Sequence, residues 1–252
     1  MIQIHNLQKN FGEKVVLRGV DLEIYDGERL VIIGRSGCGK SVLLKHIINL
    51  MQPDKGYILV DDIATRKVGQ KDLFFLRKQF GFLFQGAALF DSMSVAENVA
   101  LPLHEHTTES EKEIARKVAE KLELVGLPGT ENLRPAELSG GMKKRIGLAR
   151  AIIMDPKYML YDEPTTGLDP IMAANIDKLI NELSEKLNMT SIVVTHDMQS
   201  VKKVADRVVM LHNGKIIFSG SVEELYNTDH EVVSQFIHGK AEGPIQPKPL
   251  KY

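Results

Sequence analysis

Residues 34–41 read Gly34-Arg35-Ser36-Gly37-Cys38-Gly39-Lys40-Ser41. They fit the pattern GxxxxGK followed by Ser or Thr, in which backbone N–H groups wrap around phosphates and glycine permits the close approach. The apolar run Leu30–Ile33, typical of a buried strand, precedes the loop, and a helical pattern over Ser41–Leu50 follows it. Because a helix N-terminus attracts anions, this order of elements predicts a P-loop site for the phosphates of ATP. In such a site Lys40 contacts the β- and γ-phosphates, and the Ser41 hydroxyl coordinates Mg²⁺.

A second apolar run ends in two acidic residues. Tyr158–Tyr161 is strand-like and is followed directly by Asp162 and Glu163. Taken alone, this pattern is typical of a solvated strand end. Together with the phosphate loop it resembles a Walker B segment, in which Asp162 holds Mg²⁺ directly or through water. Glu163 then polarises the water that attacks the γ-phosphate.

Strand-like and helical patterns alternate along the rest of the chain. The first 33 residues favour β structure, in which Gly19 splits the runs Val15–Leu17 and Val20–Ile24. Further strand-like runs are Tyr57–Val60, Phe80–Phe84, Tyr158–Tyr161 and Ser191–Thr195. Strands that alternate with helices predict an α/β domain with a largely parallel sheet, which we place at residues 1–240.

Two segments depart from this alternation. Residues 85–140 are predicted to be a helical insert, in which Thr108 and Glu111 fit a capping box. Apolar residues then recur at helical spacing and predict one buried face: Ile114, Val118, Leu122 and Val125. The tail, residues 241–252, contains Pro244, Pro247 and Pro249 and cannot form a regular helix or central strand. It is interpreted either as a disordered end or as a docking segment for a partner.

The composition limits the class of protein. The chain has 252 residues, is 43% hydrophobic, and carries 32 Lys plus Arg against 33 Asp plus Glu. This balance argues against nucleic acid as a partner. No apolar run approaches the ~18 residues that span a bilayer, and Met1–Asn10 lacks the pattern of a signal peptide. The single cysteine cannot form an internal disulfide. These features predict a protein of the cytosol, or of a face exposed to it.

A third motif points to a family. Leu138-Ser139-Gly140-Gly141-Met142 precedes a helical run and resembles the signature of the ABC (ATP-binding cassette) proteins, LSGG followed usually by Gln. Other residues match the family's motifs in the family's order: Phe11 as the aromatic that stacks on adenine, the phosphate loop, Gln85 as the Q-loop glutamine, Asp162 with Glu163, Gly167-Leu168-Asp169 as the D-loop, and His196 as the switch histidine. The resemblance covers about residues 1–240.

The resemblance implies both a fold and a working assembly. The fold is an ABC cassette: a P-loop ATPase core with an N-terminal antiparallel β subdomain and an inserted helical subdomain. Two copies pair head to tail, so that each ATP lies between one phosphate loop and residues 139–142 of the other copy. Gln85 links Mg²⁺ and the attacking water to the insert, which touches a membrane permease. Asp169 reports the neighbouring site, while His196 holds the γ-phosphate and positions the water of Glu163.

Several of these residues have other interpretations when they are taken singly. Phe11 fits a core position, Gln85 an ordinary polar loop, and His196 a hydrogen-bonded structural histidine. Cys38 lies near a predicted helix N-terminus, where a thiolate is favoured. We therefore expect it either to react with alkylating agents or to be inert.

A narrower resemblance concerns the cargo. Phe84–Phe90, Ser92–Val95, Glu97–Leu103 and Gln235–Pro244, together with Met142, are similar to the Mla-type (maintenance of lipid asymmetry) ATPases. This implies phospholipid transport between envelope membranes, with a separate permease and a lipid-binding substrate protein. In some members a STAS-domain protein binds the ATPase, and the tail contributes to assembly. Residues 87–90 line a groove for a permease helix or belong to the core of the insert.

Other functions stay open. The chain fits an ABC transporter for another cargo, such as amino acids or lipoproteins. A DNA-repair ATPase would carry a long coiled coil between Gly34 and Ser139, which are only 105 positions apart. A translation factor of this kind would carry two cassettes, and an inactive scaffold conflicts with Lys40, Glu163 and His196. We expect attachment to the inner, cytoplasmic face of the cell membrane through the permease.

Overall fold

The computed structural model describes residues 1–66 and 68–246, so that residues 247–252 of the predicted tail lie outside the described residues. Within that range the strands are β1 (Ile2–Phe11), β2 (Lys14–Ile24), β3 (Arg29–Ile33), β4 (Lys55–Val60), β5 (Ile63–Ala64), β6 (Phe80–Leu83), β7 (Tyr158–Asp162), β8 (Thr190–Val194), β9 (Arg207–His212) and β10 (Lys215–Gly220). The helices are α1 (Lys40–Ile47), α2 (Gln70–Lys78), α3 (Val95–His106), α4 (Glu111–Leu124), α5 (Gly140–Ala151), α6 (Pro170–Lys186), α7 (Met198–Val204), α8 (Val222–Tyr226) and α9 (Glu231–His238).

Four of the first five strands form an antiparallel sheet in the order β2-β1-β4-β5. The break expected at Gly19 is wrong, because β2 continues through it. Leu7 pairs with Val20 and Gln8 with Arg18, which leaves Gly19 as the extra residue of a β-bulge. Gly19 has a φ of 86°, and a Cβ there would come within 2.7 Å of Asn6 Oδ1. The glycine therefore bends the strand without ending it.

A second sheet has the order β10-β9-β3-β8-β7-β6 and is parallel except for β10. Leu30 and Ile32 face the core shared with the antiparallel sheet and α1, whereas Val31 and Ile33 face the core under the other helices. Because both faces are covered, β3 is apolar from Leu30 to Ile33. The predicted α/β class with a largely parallel sheet is confirmed.

The parallel strands place the predicted motifs at one edge. The carboxyl ends of β3, β8, β7 and β6 lie side by side in that order. The phosphate loop follows β3, His196 follows β8, Asp162 ends β7 and Gln85 follows β6. Residues that are far apart in sequence therefore meet where ligands bind in open α/β sheets.

Between β6 and β7 the chain forms α3, α4, a 3₁₀ turn at Pro135–Glu137, and α5. The expected capping box at Thr108 and Glu111 is wrong. Ser110 caps α4 instead, because its Oγ accepts from the backbone N–H of Glu113 and the Glu113 carboxylate accepts from the Ser110 N–H at 3.2 Å. The same Ser/Thr-x-x-Glu spacing thus acts two residues later. The predicted buried face of α4 is confirmed, since Ile114, Val118, Leu122 and Val125 are all buried.

The described part of the tail lies against α9 and the phosphate loop. The Gln235 side chain accepts from the Ile245 N–H at 2.7 Å and donates to the Ile245 carbonyl at 3.2 Å. Arg35 Nη1 donates to the Gln246 carbonyl at 3.1 Å. The chain is thus held by hydrogen bonds up to residue 246. Over residues 1–66 and 68–246, none of the helices combines the length and the apolar character needed to cross a membrane.

Candidate nucleotide-binding site

The phosphate loop is shaped by two glycines whose positions exclude a side chain. Gly34 has a φ of 148°, and a Cβ there would lie 2.3 Å from the Leu211 carbonyl oxygen. Gly39 has a φ of 113° and would place a Cβ 3.0 Å from Leu17 Cδ2. Gly39 also begins α1 without a side-chain cap, so the first N–H groups of the helix stay available for an anion.

The Lys40 ammonium lies inside this loop. Its Nζ donates to the carbonyl oxygens of Gly34 at 2.7 Å and Arg35 at 3.2 Å. It also lies 3.8 Å from Glu163 Oε1, and the residue is buried. A point charge in this position can attract phosphate oxygens into the loop.

Ser41 and Asp162 form the next contact along the sheet edge. Ser41 Oγ donates to Asp162 Oδ1 at 2.8 Å, which joins the start of α1 to the end of β7. Burial raises the pKa of Asp162, although the Ser41 hydrogen bond and the Lys40 charge oppose this rise. A hydroxyl and a carboxylate are oxygen ligands of the kind that Mg²⁺ prefers. The pair therefore fits the predicted metal site.

Glu163 is held from two sides. Its Oε2 lies 2.8 Å from His196 Nδ1 and accepts from Thr166 Oγ1 at 3.2 Å. Its backbone N–H donates to the Val194 carbonyl at 2.9 Å, yet its φ of 52° is left-handed. A non-glycine residue with such a φ is strained, and such strain is concentrated at functional sites. Sequence reasoning missed Thr166; its place three residues after Glu163, in the turn that follows β7, was the available signal.

Gln85 follows β6 at the same edge of the sheet. Its carbonyl accepts from Lys144 Nζ, and its side chain is exposed. In the described part of the chain that side chain forms no hydrogen bond with Ser41 or Asp162. Its assignment as a metal ligand therefore stays a prediction.

Phe11 and Cys38 flank the loop. Phe11 ends β1, is half-exposed, and borders a cleft of about 220 Å³ together with Lys40, Ser41 and other residues of the loop. It therefore lies outside the core.

Burial raises the pKa of the Cys38 thiol, although the Lys40 charge opposes the rise. The expected preference for a thiolate is therefore wrong. Ser36 and Gly37 are exposed at the tip of the loop.

The signature residues, 139–142, lie at the start of α5. Ser139 caps α5, and its Oγ accepts from the Met142 N–H at 3.2 Å. Ser139 and Gly140 are exposed, whereas Met142 packs against the core. A Cβ on Gly141 would lie 2.4 Å from Met172 Cε, so the motif packs closely on α6. In residues 1–66 and 68–246 no hydrogen bond joins residues 139–142 to the phosphate loop.

Asp169 is next to the signature residues. Its Oδ1 accepts from the N–H groups of Ile171 and Met172, both at 3.0 Å, and so caps α6. Ile171 beside it is 76% exposed, an unusual position for a large apolar side chain. Lys40, Ser41, Asp162, Glu163 and His196 thus form one contacting group, while the signature and Asp169 form a second exposed surface.

A phosphate loop, a hydroxyl–carboxylate pair and a Glu–His pair at the carboxyl edge of a parallel sheet define a P-loop nucleotide triphosphatase. Residues 17–166 match the family described as ABC transporter. The chain belongs to this family and is an ATP-hydrolysing cassette.

Two curated relatives and one solved structure are similar over most of the chain. The probable ribonucleotide transport ATP-binding protein mkl of Mycobacterium leprae is 43% identical over 97% of this chain and 70% of its own length. The intermembrane phospholipid transport system ATP-binding protein MlaF of Haemophilus influenzae is 42% identical over 98% and 93%. A dimeric ATP-binding cassette, MJ0796 bound to ADP and Pi, has a TM-score of 0.80 and 32% identity over 88% of this chain and 99% of that one. The predicted family and cassette fold are confirmed.

Proposed function

We propose that this chain hydrolyses MgATP in a head-to-tail dimer of two copies and thereby drives phospholipid transport through a membrane permease. The observation that carries the catalytic part is the contacting group at the sheet edge. Ser41 Oγ and Asp162 Oδ1 are 2.8 Å apart, and Glu163 Oε2 and His196 Nδ1 are also 2.8 Å apart. One pair offers oxygen ligands, and the other offers a base held in a fixed position.

Each residue has a separate task in this proposal. Lys40 and the N-terminus of α1 hold the phosphates, while Ser41, Asp162 and Gln85 would hold Mg²⁺. The bound ion would neutralise charge that develops on the phosphate oxygens. Glu163 accepts a proton from the attacking water, and His196 with Thr166 keeps its carboxylate oriented. Phe11 stacks on the adenine ring.

The exposed signature supports the dimer. Ser139 and Gly140 are exposed at the N-terminus of α5, and Ile171 is exposed at the start of α6, where Met172 packs on Gly141. In a head-to-tail pair these residues, with Gly141 and Met142, meet the γ-phosphate held by the other copy. Burial of Ile171 would add apolar contact, and we assign to Asp169 the role of sensing the neighbouring site. The structurally similar cassette MJ0796 is dimeric.

A groove lined in part by the segment after β6 supports permease docking. It has a volume of about 570 Å³, and its lining includes exposed aromatic residues and the cations Arg77, Lys78 and Arg150. Within residues 87–90, Ala87 is buried, whereas Phe90 is 50% exposed and lines the groove. We propose that the groove binds a permease helix through apolar side chains. A carboxylate on that helix would strengthen the binding by pairing with the cations of the groove.

The cargo rests on the relatives. MlaF is named for phospholipid transport, and its similarity covers nearly its full length. We extend its cargo class to this chain, with a lipid-binding substrate protein and a STAS-domain protein as further partners, at the cytoplasmic face of the cell membrane. Because mkl is named for ribonucleotide transport at similar identity, another cargo is the alternative.

A pull-down of the tagged chain from its native membranes in mild detergent tests the cargo and the partners together. Mass spectrometry should find a permease, a lipid-binding protein, and phospholipid enriched over bulk membrane. A permease linked to a receptor for polar solutes would retain the ATPase and discard the lipid. Ribosomes or DNA-repair proteins without a membrane subunit would contradict the transport function.

A further inference from the structure

Helix α5, which begins at the signature, carries two cations directed at the loop after β6. Lys144 is 5% exposed, and Arg150 is partly buried. Over residues 1–66 and 68–246 neither has a carboxylate within ion-pair distance. A buried cation is unfavourable unless polar groups compensate for the lost water. Backbone carbonyls supply that compensation here.

Lys144 connects two strand ends. Its Nζ donates to the carbonyl of Gln85, after β6, and lies 3.5 Å from the carbonyl of Glu163, after β7. One ammonium group on the signature helix therefore holds the backbone of the predicted catalytic base and of the Q-loop glutamine. In the described part of the chain, Lys144 forms no hydrogen bond with the phosphate loop.

Arg150 fixes the next part of the same loop. Its Nη2 donates to the Ala87 carbonyl at 2.7 Å, and its Nη1 donates to the Ala88 carbonyl at 2.8 Å. Ala87 and Ala88 have φ values of 60° and 50°, a left-handed region that alanine rarely adopts. Two hydrogen bonds from one planar guanidinium stabilise this strained pair.

Gly147 permits the close approach of the helix. A Cβ there would lie 2.9 Å from Leu83 Cδ1 and 3.2 Å from the Ala87 Cβ. The helix therefore touches both the end of β6 and the loop that follows it. Lys144, Gly147 and Arg150 lie at successive spacings of three residues, which places them along one side of α5.

We infer that Lys144 and Arg150 are positioning residues that fasten residues 85–88 and the backbone of Glu163 to the signature helix. Any displacement of residues 139–142 by a second copy would then reach Gln85 and Glu163 through this helix. The inference rests on the proposed roles of Gln85 and Glu163. It assigns no contact with ATP to either cation, so that it predicts an effect on turnover and not on nucleotide affinity.

The test compares Lys144→Met, Lys144→Gln and Lys144→Arg in the complex with the permease, with Lys143→Met as the matched control. We expect Lys144→Met to lower kcat about tenfold through misplacement of the site, with KM for ATP unchanged. Lys144→Arg should restore most of the turnover, because it keeps a charged donor. Lys144→Gln keeps the fold testable should the Met variant not fold, and its kcat should lie between the two.

Amide hydrogen exchange supplies a second readout. Exchange at residues 85–90 should be faster in Lys144→Met and Arg150→Met than in the wild type, and unchanged in Lys143→Met. Wild-type kcat together with wild-type exchange in Lys144→Met would overturn the inference, as would equal changes in kcat and KM that Arg does not rescue. Glu163→Gln, measured in parallel, tests the catalytic role of Glu163 separately from the positioning role of Lys144. If Glu163→Gln retains turnover, the proposed catalytic role fails, whatever the Lys144 variants do.

Discussion

The carboxylate of Glu163 lies 2.8 Å from the imidazole Nδ1 of His196. The two residues follow neighbouring parallel strands, β7 and β8, and the Glu163 N–H extends that pairing by a bond to the Val194 carbonyl. Because the backbones are locked together, the two side chains are held in one relative position before any substrate binds. Such preorganisation is what a base needs if it is to orient water without further ordering.

Glu163→Gln should therefore abolish turnover while ATP binding is retained. The amide keeps the shape and the contact with His196 but cannot accept a proton, so we expect kcat to fall by about 10²-fold or more. ATP that is bound and not hydrolysed should hold two copies together. Steady-state ATPase assays and light scattering with MgATP measure both effects. Glu120→Gln, an exposed change on α4, is the control, and comparable rates in the mutant and the wild type would disprove the assignment of the base.

Thr166→Val should lower kcat without changing the affinity for ATP. The hydroxyl donates to Glu163 Oε2 at 3.2 Å, and the substitution removes this bond at nearly constant volume. The loss of one hydrogen bond to a charged group corresponds to about a tenfold change. Thr166→Ser keeps the donor and should stay near the wild-type rate. Equal kcat values for the Val and Ser variants would show that Thr166 does not orient the base.

Much of the site could be predicted because the end of a strand is visible in the local sequence, where an apolar run stops. The apolar runs before Gly34 and Asp162 locate β3 and β7, and a parallel sheet then brings their carboxyl ends together. The glycines of the phosphate loop could also be recognised from the sequence, because the loop requires positive φ values that glycine adopts easily. Local pattern and tertiary position agree at these residues.

The parts that could not be predicted depend on contacts between distant segments. Gly19 interrupts an apolar pattern, but only pairing with β1 shows that it is a bulge in one strand. The cap of α4 has two candidate positions with the same spacing, and only the structure shows that the helix begins directly after Ser110 and not after Thr108. Cys38 is near a helix N-terminus, yet its burial decides its pKa.

Gly34→Ala should impair both folding and nucleotide binding. Its Cβ would lie 2.3 Å from the Leu211 carbonyl, a backbone atom that cannot move aside cheaply. Overpacking of this kind costs about 1–3 kcal/mol and would displace the loop. Gly37→Ala is a useful comparison, because no atom lies within 4 Å of the position of its Cβ, although its φ of 75° is still left-handed. Urea unfolding and ATP titration should rank Gly34→Ala as the more damaging change; the reverse order would contradict the steric argument.

The stability of the fold should decrease in acid through Asp61. Burial alone would raise the pKa of Asp61, but hydrogen bonds from Lys157, the N-terminal ammonium and Tyr158 outweigh it and lower the pKa to about 2. A lowered pKa means that the carboxylate stabilises the fold above its ordinary value of 3.8. This stabilisation is lost as the pH falls from there towards 2. It amounts to about 1 kcal/mol after allowance for screening at this partly exposed site.

Asp61→Asn should remove that part of the pH dependence. Urea unfolding at a series of pH values should give a flatter acid limb for the variant, and a lower stability than the wild type at neutral pH. Asp62→Asn, at the neighbouring exposed position, is the control. An unchanged acid limb in Asp61→Asn would show that the contacts with Lys157 and Tyr158 contribute nothing to stability.

Phe90→Glu should abolish permease binding and leave the isolated cassette folded. Phe90 is 50% exposed in the aromatic groove, so a carboxylate there stays hydrated in the free protein but would lose its water when an apolar helix covers the groove. Ala87 is only 1% exposed, and Ala87→Glu should instead lower the free energy of unfolding directly. Co-purification with the permease and thermal unfolding distinguish the two variants. If Phe90→Glu unfolds the cassette, residue 90 belongs to the core of the insert; if it is folded and still binds, the permease helix docks elsewhere.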